Sequence, residues 1–315
     1  MRKRVTVPLI AIMLLLIQFG ESAWAQQDPL FTQYAFNKLA FNPAYAGSGE
    51  RFSLDLLTRF QWTGIRGAPR TVSFNAHTPL RNRHIGIGIN ACRDELGPLT
   101  DNQVMAAFAY RILFPSTTLC FGIQGGVRHM DVNTGLLDPR DPADPLLEGA
   151  MTKKAVPDAD AGIYFYGSRF YTGISVRHLL ENRILVSATA PADVTAFTRL
   201  QRNLYGMAGG VVPLGRDLEM IPSVLVRYMT DVPLQADLNL NFLLKKVLTA
   251  GIAYRTDQAM ALMIQVSVGK GFSIGYSYDL WFNVLRSYNQ GSHEIRIGFE
   301  TDLFRPLRVL TPRYF

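Results

Sequence analysis

Between residues 51 and 301 the chain is organised by alternation of apolar and polar side chains. In His84–Cys92, Ile85, Ile87, Ile89 and Ala91 alternate with Gly86, Gly88, Asn90 and Cys92, and in Phe272–Asp279, Phe272, Ile274, Tyr276 and Tyr278 alternate with Ser273, Gly275, Ser277 and Asp279. A repeat of two belongs to a strand with one apolar and one polar face. Applied along the chain, it predicts strands near 51–62, 70–78, 84–93, 103–114, 118–130, 160–166, 169–178, 202–213, 217–229, 234–243, 247–255, 259–268, 272–280 and 293–301. That is about fourteen strands, most of them of the length a tilted membrane strand needs.

Alternation alone serves a soluble sandwich as well as a membrane barrel. Three features select the barrel. Connections after even strands are tight, as in Pro115-Ser116-Thr117 and Leu244-Lys245-Lys246, whereas 131–159, 179–201 and 281–292, which follow odd strands, are long. Short periplasmic turns and long outer loops produce this asymmetry. Charge is confined to the polar faces: Asp55, Arg59, Arg111, Arg128, Asp160, Arg177, Glu219, Arg227, Asp237, Arg255, Asp279, Glu294, Arg296 and Glu300 are assigned to the lumen. A cation turned to the bilayer midplane would cost about 2–4 kcal/mol, so Ile87→Arg is expected to be damaging and Asn90→Arg better tolerated. Finally, Phe114, Phe121, Phe165, Phe170, Phe242, Phe272 and Phe299 fall at one end of the apolar faces, and Trp62, Tyr228, Tyr254 and Tyr278 at the other. Two aromatic girdles result. The fold expected is all-β, a transmembrane antiparallel β-barrel of outer-membrane type spanning 51–302.

The first residues set the compartment. Arg2, Lys3 and Arg4 precede an apolar run from Val5 to Phe19, and Ala23-Trp24-Ala25 supplies the small residues of a cleavage site. Residues 1–25 are therefore read as a signal peptide. Their loss lowers the formal net charge from +7 to +5, a mild basicity with no nucleic-acid signature. Cys92 and Cys120 are too few for a disulfide framework. Their strand positions, near opposite ends of the barrel, keep them outside the roughly 7 Å reach of a bridge.

Residues 26–50 stand apart. QQDPLFTQYAFNKLAFNPAYAGSGE is apolar without sustained alternation, which fits a periplasmic lead-in or a lumen plug. Gln27-Asp28-Pro29, Phe31 to Asn37 and Asn42 to Gly47 resemble the opening of PorP/SprF outer-membrane proteins of Bacteroidetes, associated with type IX secretion and gliding motility. Gly291-Ser292-His293-Glu294-Ile295 resembles a second motif near the C-terminus of that family. The resemblance implies location in the outer membrane, contact with periplasmic and outer-membrane components of the type IX secretion system, and help in exporting or retaining surface adhesins. It assigns partner binding to Asp28, Pro29, Phe31, Gln33, Tyr34, Phe36, Asn37, Asn42, Pro43, Tyr45 and Gly47. The basic tail, 303–315, departs from barrels that end at an aromatic residue in the last strand.

Enzyme chemistry has little support. His293-Glu294 lacks the second histidine of a metalloprotease, Gly86-Ile87-Gly88 lacks the third glycine of a dinucleotide loop, and no Gly-x-Ser-x-Gly elbow occurs. Asp138–Pro145 is read as a stiff surface loop rather than a calcium loop. No catalytic residue, metal or cofactor is expected. Outer-membrane lipid, secretion-system components and exported surface proteins are the expected partners. A porin-like uptake channel is the alternative, although seven Arg against seven acids on the lumen faces fits internal ion pairs better than a charge-selective pore.

Overall fold

The computed structural model describes residues 28–133, 136, 153–185, 197–230, 232–269 and 271–303. The signal peptide, Gln27, the 138–145 loop and nearly all of the tail lie outside them. Fourteen strands close into an antiparallel barrel. They are β1 Phe52–Phe60, β2 Arg70–Pro79, β3 Ile85–Leu96, β4 Leu99–Leu113, β5 Thr117–Val132, β6 Lys153–Gly167, β7 Phe170–Arg177, β8 Asn203–Gly210, β9 Leu218–Met229, β10 Gln235–Leu244, β11 Leu248–Arg255, β12 Ala259–Val268, β13 Phe272–Trp281 and β14 Ser292–Thr301. Each pairs with its sequence neighbours, and β1 pairs with β14, Phe52 opposite Thr301 and Phe60 opposite His293. Closure removes the unpaired edge that a bilayer would not tolerate.

The strand faces divide as the alternation requires. Ile87, Ile89, Phe108, Ile123, Ile174, Leu262, Ile274 and Ile297 are exposed on the outer wall, while Arg59, Arg111, Arg128, Asp160, Arg177, Asp237, Arg255, Asp279, Glu294 and Arg296 are buried on the inner one. The outward side chains have no water-facing core to enter. Lipid is the solvent that suits them. Phe114, Phe121, Phe170 and Phe272 are exposed at one end, and Tyr228 and Tyr254 at the other. Trp62 differs from expectation: β1 ends at Phe60, Trp62 takes a left-handed φ of 50°, and its ring stands edge-on to Trp281 at 5.6 Å. It packs half-buried against the buried Trp281 ring instead of standing on the outer wall.

Loop length follows strand parity only in part. At the end where β1 begins and β14 finishes, the turn end, the connections 80–84, 114–116, 168–169, 245–247 and 269–271 are short. At the opposite, loop end, 61–69, 133–152, 178–202 and 282–291 are long, but 97–98 and 256–258 are tight. The 97–98 turn is tight because its strands extend. β3 to β6 continue past the expected limits at 93, 103, 130 and 160, and Gly97, at φ 55°, closes the β3–β4 hairpin. In 178–202, Arg183–Leu185 pairs with Phe197–Arg199 as a small hairpin.

Both cysteines are free. Cys92 faces Gln103 on β4, and Cys120 faces Arg111 on the other side of β4. At about 3.3 Å per residue, the distance from Gln103 to Arg111 carries the thiols far beyond disulfide reach.

Candidate functional site

The lumen is occupied by the chain's own residues 28–50. This segment lies near the loop end at Asp28, descends between the inner faces, and reaches β1 at the turn end. Three 3-10 turns carry it, Tyr34–Phe36, Lys38–Ala40 and Pro43–Tyr45. Asn42 starts the third: its side chain accepts from the Ala44 backbone N–H at 2.9 Å, and Pro43 occupies the first position, where a missing N–H costs nothing. Gly47 then turns the chain at φ 75°. The barrel wall is thinned to receive the segment. A Cβ on Gly86 would stand 1.9 Å from the Ala46 carbonyl oxygen, and one on Gly122 would stand 2.2 Å from the Ala44 nitrogen.

Two polar nodes hold the segment. In the first, the Glu294 carboxylate accepts from the backbone N–H groups of Thr32 at 2.9 Å and Gln33 at 2.8 Å. The Thr32 hydroxyl donates to Asp279 at 2.8 Å, and Arg59 bridges the two acids, 2.6 Å from Asp279 and 3.1 Å from Glu294. All three ionic side chains are 1% exposed or less. Removing one partner from a buried set of this kind leaves an uncompensated charge and costs about 3–5 kcal/mol. The Phe31–Asn37 and Ser292–Ile295 motifs, 262 positions apart at Thr32 and Glu294, meet here.

The second node surrounds Asp28. Arg177 lies 3.4 Å from its carboxylate, Arg128 3.7 Å and His178 Nε2 3.0 Å, while the Asn203 side-chain amide donates to it at 2.6 Å. His178 follows β7 at φ 58°. Its backbone N–H donates to Asp160 at 2.8 Å, and its Nδ1 lies 2.5 Å from Asp158. Asp158, Asp160 and His178 form the group whose donor atoms lie within 4.8 Å of one another. Their ligand atoms are already engaged, His178 Nδ1 with Asp158, His178 Nε2 with Asp28, and the Asp160 carboxylate with the His178 N–H, Gln124 and Arg177.

Between the nodes, Asn75 donates to Asn37 at 2.5 Å and accepts from Asn90. The Asn42 amide donates to the carbonyls of Ile163 and Ile174. Lys38 is buried; its ammonium donates to the Ala35 carbonyl at 2.5 Å and lies 4.7 Å from the Tyr171 ring centre. Nearer the turn end, Arg296 pairs with Asp55 and stands 5.2 Å from the Phe36 ring centre.

Thus the lumen charges Arg59, Asp160, Arg177, Asp279 and Glu294 gather at the two nodes, Arg128 joins the second, and Asp237 pairs with Arg255 at 2.8 Å. Glu219 and Glu300 remain only half-buried. Arg111 donates to the Tyr166 hydroxyl at 2.6 Å. The residues to which the resemblance assigns partner binding are buried or half-buried against the inner wall. A partner reaches them only if the segment leaves the lumen. Thr32, inside the Phe31–Asn37 motif, and His178 and Asn203 are assigned no role by the sequence alone. Only the strand-end position of His178 beside Arg177 could have marked it. In the loop-end turn 256–258, burial pushes the Asp257 carboxyl up to about 6, opposed by Arg255.

The sequence model of the family described as "Type IX secretion system membrane protein PorP/SprF" matches residues 23–299. No curated protein sequence matches the chain. Among solved structures, the Acinetobacter baumannii outer membrane protein Omp33 is similar over 80% of this chain and 100% of its own, at 5% identity and a TM-score of 0.45. A TodX monoaromatic hydrocarbon channel mutant covers 82% and 92% at 10% identity and 0.46, and the KdgM porin 79% and 99% at 9% and 0.37. At such scores the barrel rests on its own strand pairing. Its family match spans both end motifs and reaches into the last strand, and the chain therefore belongs to the PorP/SprF family of type IX secretion membrane proteins, as a β-barrel of the outer membrane.

Proposed function

We propose that this barrel is a closed anchoring component of the type IX secretion and gliding apparatus, contacting periplasmic machinery at its turn end and exported adhesins at its loop end. The observation that carries the closed reading is the 28–50 segment, which is tied across the lumen by Glu294 and by the Asp28 node. A passive uptake channel needs a continuous aqueous path, and two buried ionic nodes on a resident segment oppose one. The turn end carries the start of β1 and the end of β14, which suits the periplasmic side. The long loop-end connections then face the exterior.

Single-channel conductance of the purified protein tests closure. The intact protein is expected to be silent and a variant lacking 28–47 to leak; steady current from the intact protein favours uptake. In cells, the same deletion is expected to leave a heat-modifiable barrel in the membrane and to impair secretion or adhesin attachment. Unaffected secretion would remove the segment from the functional assignment.

A further inference from the structure

Glu294 and the lumen leave His293 unexplained. It points the other way, onto the outer wall, in a row that runs straight across four adjacent strands at the loop end. Arg70 is paired with Phe60, Phe60 with His293, and His293 with Tyr278. The Arg70 guanidinium carbon lies 5.3 Å from the Phe60 ring centre, and the Tyr276 hydroxyl lies 2.8 Å from His293 Nδ1. Among the described residues no hydrogen bond reaches the imidazole Nε2.

Above this row the loops 61–69 and 282–291 form a single ledge. The Thr63 N–H donates to the Gly291 carbonyl at 2.9 Å, the Gln290 N–H to the Thr63 carbonyl at 2.7 Å, and the Trp62 N–H to the Ser292 hydroxyl at 3.1 Å. The ledge is basic. Residues 60–72 and 280–293 contain no Asp or Glu, yet hold Arg66, Arg70, Arg286 and His293. The carboxylate facing Arg70 on β3, Glu95, is engaged by Arg93 at 2.7 Å. The ledge is also apolar on its free side, with Val284 79% and Tyr288 74% exposed.

We propose that this ledge binds the phosphorylated headgroup of an outer-leaflet glycolipid, with Arg70 and His293 donating to phosphate and Arg286 adding charge from the loop. Charge complementarity selects an anion, and position selects a lipid. Arg70, His293 and Tyr278 project from the lipid-facing wall at the level where aromatic side chains meet headgroups, and exposed apolar side chains beside cations suit an interface rather than open water. The two donors would form charge-assisted bonds to phosphate oxygens.

The identity of the leaflet rests on the outward placement of the loop end proposed above, and the experiment separates the two. The full-length barrel, purified in detergent, is incubated with diphosphorylated lipid A or with the same lipid stripped of phosphate, and retained lipid is counted by native mass spectrometry. The phosphorylated form is expected to be retained preferentially, and Arg70→Gln/His293→Gln to reduce that retention about a hundredfold, the loss of two charge-assisted hydrogen bonds. Heat-modifiable migration verifies that the variant is folded. If the double variant does not fold, Arg286→Gln, in the loop, is expected to weaken retention in the same direction. Equal retention of both lipids, undiminished retention by the folded variant, or preferential capture of an acidic peptide over lipid A overturns the site. Detergent binding does not depend on orientation. An epitope in 137–152 that is inaccessible on intact cells would instead overturn the outward placement, and with it the outer-leaflet assignment.

Discussion

His293 and Glu294 are neighbours in sequence and stand on opposite sides of the barrel wall, His293 beside Tyr276 outside and Glu294 beneath the Thr32 and Gln33 backbone inside. A strand of period two imposes this separation. A short motif can therefore serve the membrane and the lumen at once, and substitutions at the two positions should have different consequences.

Glu294→Ala is expected to destabilise the barrel by about 3–5 kcal/mol, because Arg59 loses one of its acids and two backbone donors lose their acceptor. Glu294→Gln should cost less, since its amide oxygen still accepts from Thr32 or Gln33. The midpoint temperature of heat-modifiable migration ranks the two. Equal midpoints for Glu294→Ala and the unaltered protein would show that the node does not support the fold.

Gly122→Ala should loosen the luminal segment, because its methyl group would overlap the Ala44 backbone. Gly206→Ala, on β8, meets no atom within 4 Å and serves as the control. In a planar bilayer, leak from Gly122→Ala with silence from Gly206→Ala is the expected pair. Silence from a folded Gly122→Ala protein would mean that the segment shifts without opening a path.

Ile87→Arg, on the lipid face, is expected to cost about 2–4 kcal/mol or to block assembly. Asn90→Arg is expected to be damaging as well. Period two places Asn90 correctly on the inner face, but that face is not watery: Asn90 donates to Asn75, which donates to Asn37 of the segment. An arginine there must displace the segment, so damage is expected at both positions. Refolding yield into lipid vesicles is the readout, with conductance separating the causes, since a folded Asn90→Arg protein should leak.

The same example shows where sequence reasoning stopped. Alternation exposes both faces of every strand, because each residue reports its own side, and the charged inner positions from Asp55 to Glu300 follow from it. What fills the lumen is decided by contacts between distant residues, such as Thr32 with Glu294 and Asp28 with Arg177. The segment has no period to reveal them. Its 3-10 turns are short, and its small and aromatic residues match glycines and tyrosines scattered over many strands. The ends of β3 to β6 escape the alternation for a related reason: beyond the bilayer, alternation no longer has to separate apolar from polar.

Stability should also depend on pH through the loop-end turn 256–258. Burial raises the Asp257 carboxyl from 3.8 to about 6, so its charged form is disfavoured in the folded barrel. For an acid raised on folding, the penalty is absent below the unfolded value and fully present above the folded one. Asp257→Asn removes it, leaving the neutral form at every pH. The variant should therefore melt at a higher temperature than the parent at pH 7.5, with the difference closing as pH falls through 6 toward 4. Heat-modifiable migration at the two pH values measures this. A gap that stays constant with pH would assign the effect to the amide's hydrogen bonds, and a parent that is more stable at pH 7.5 would show that Arg255 compensates the charge in full.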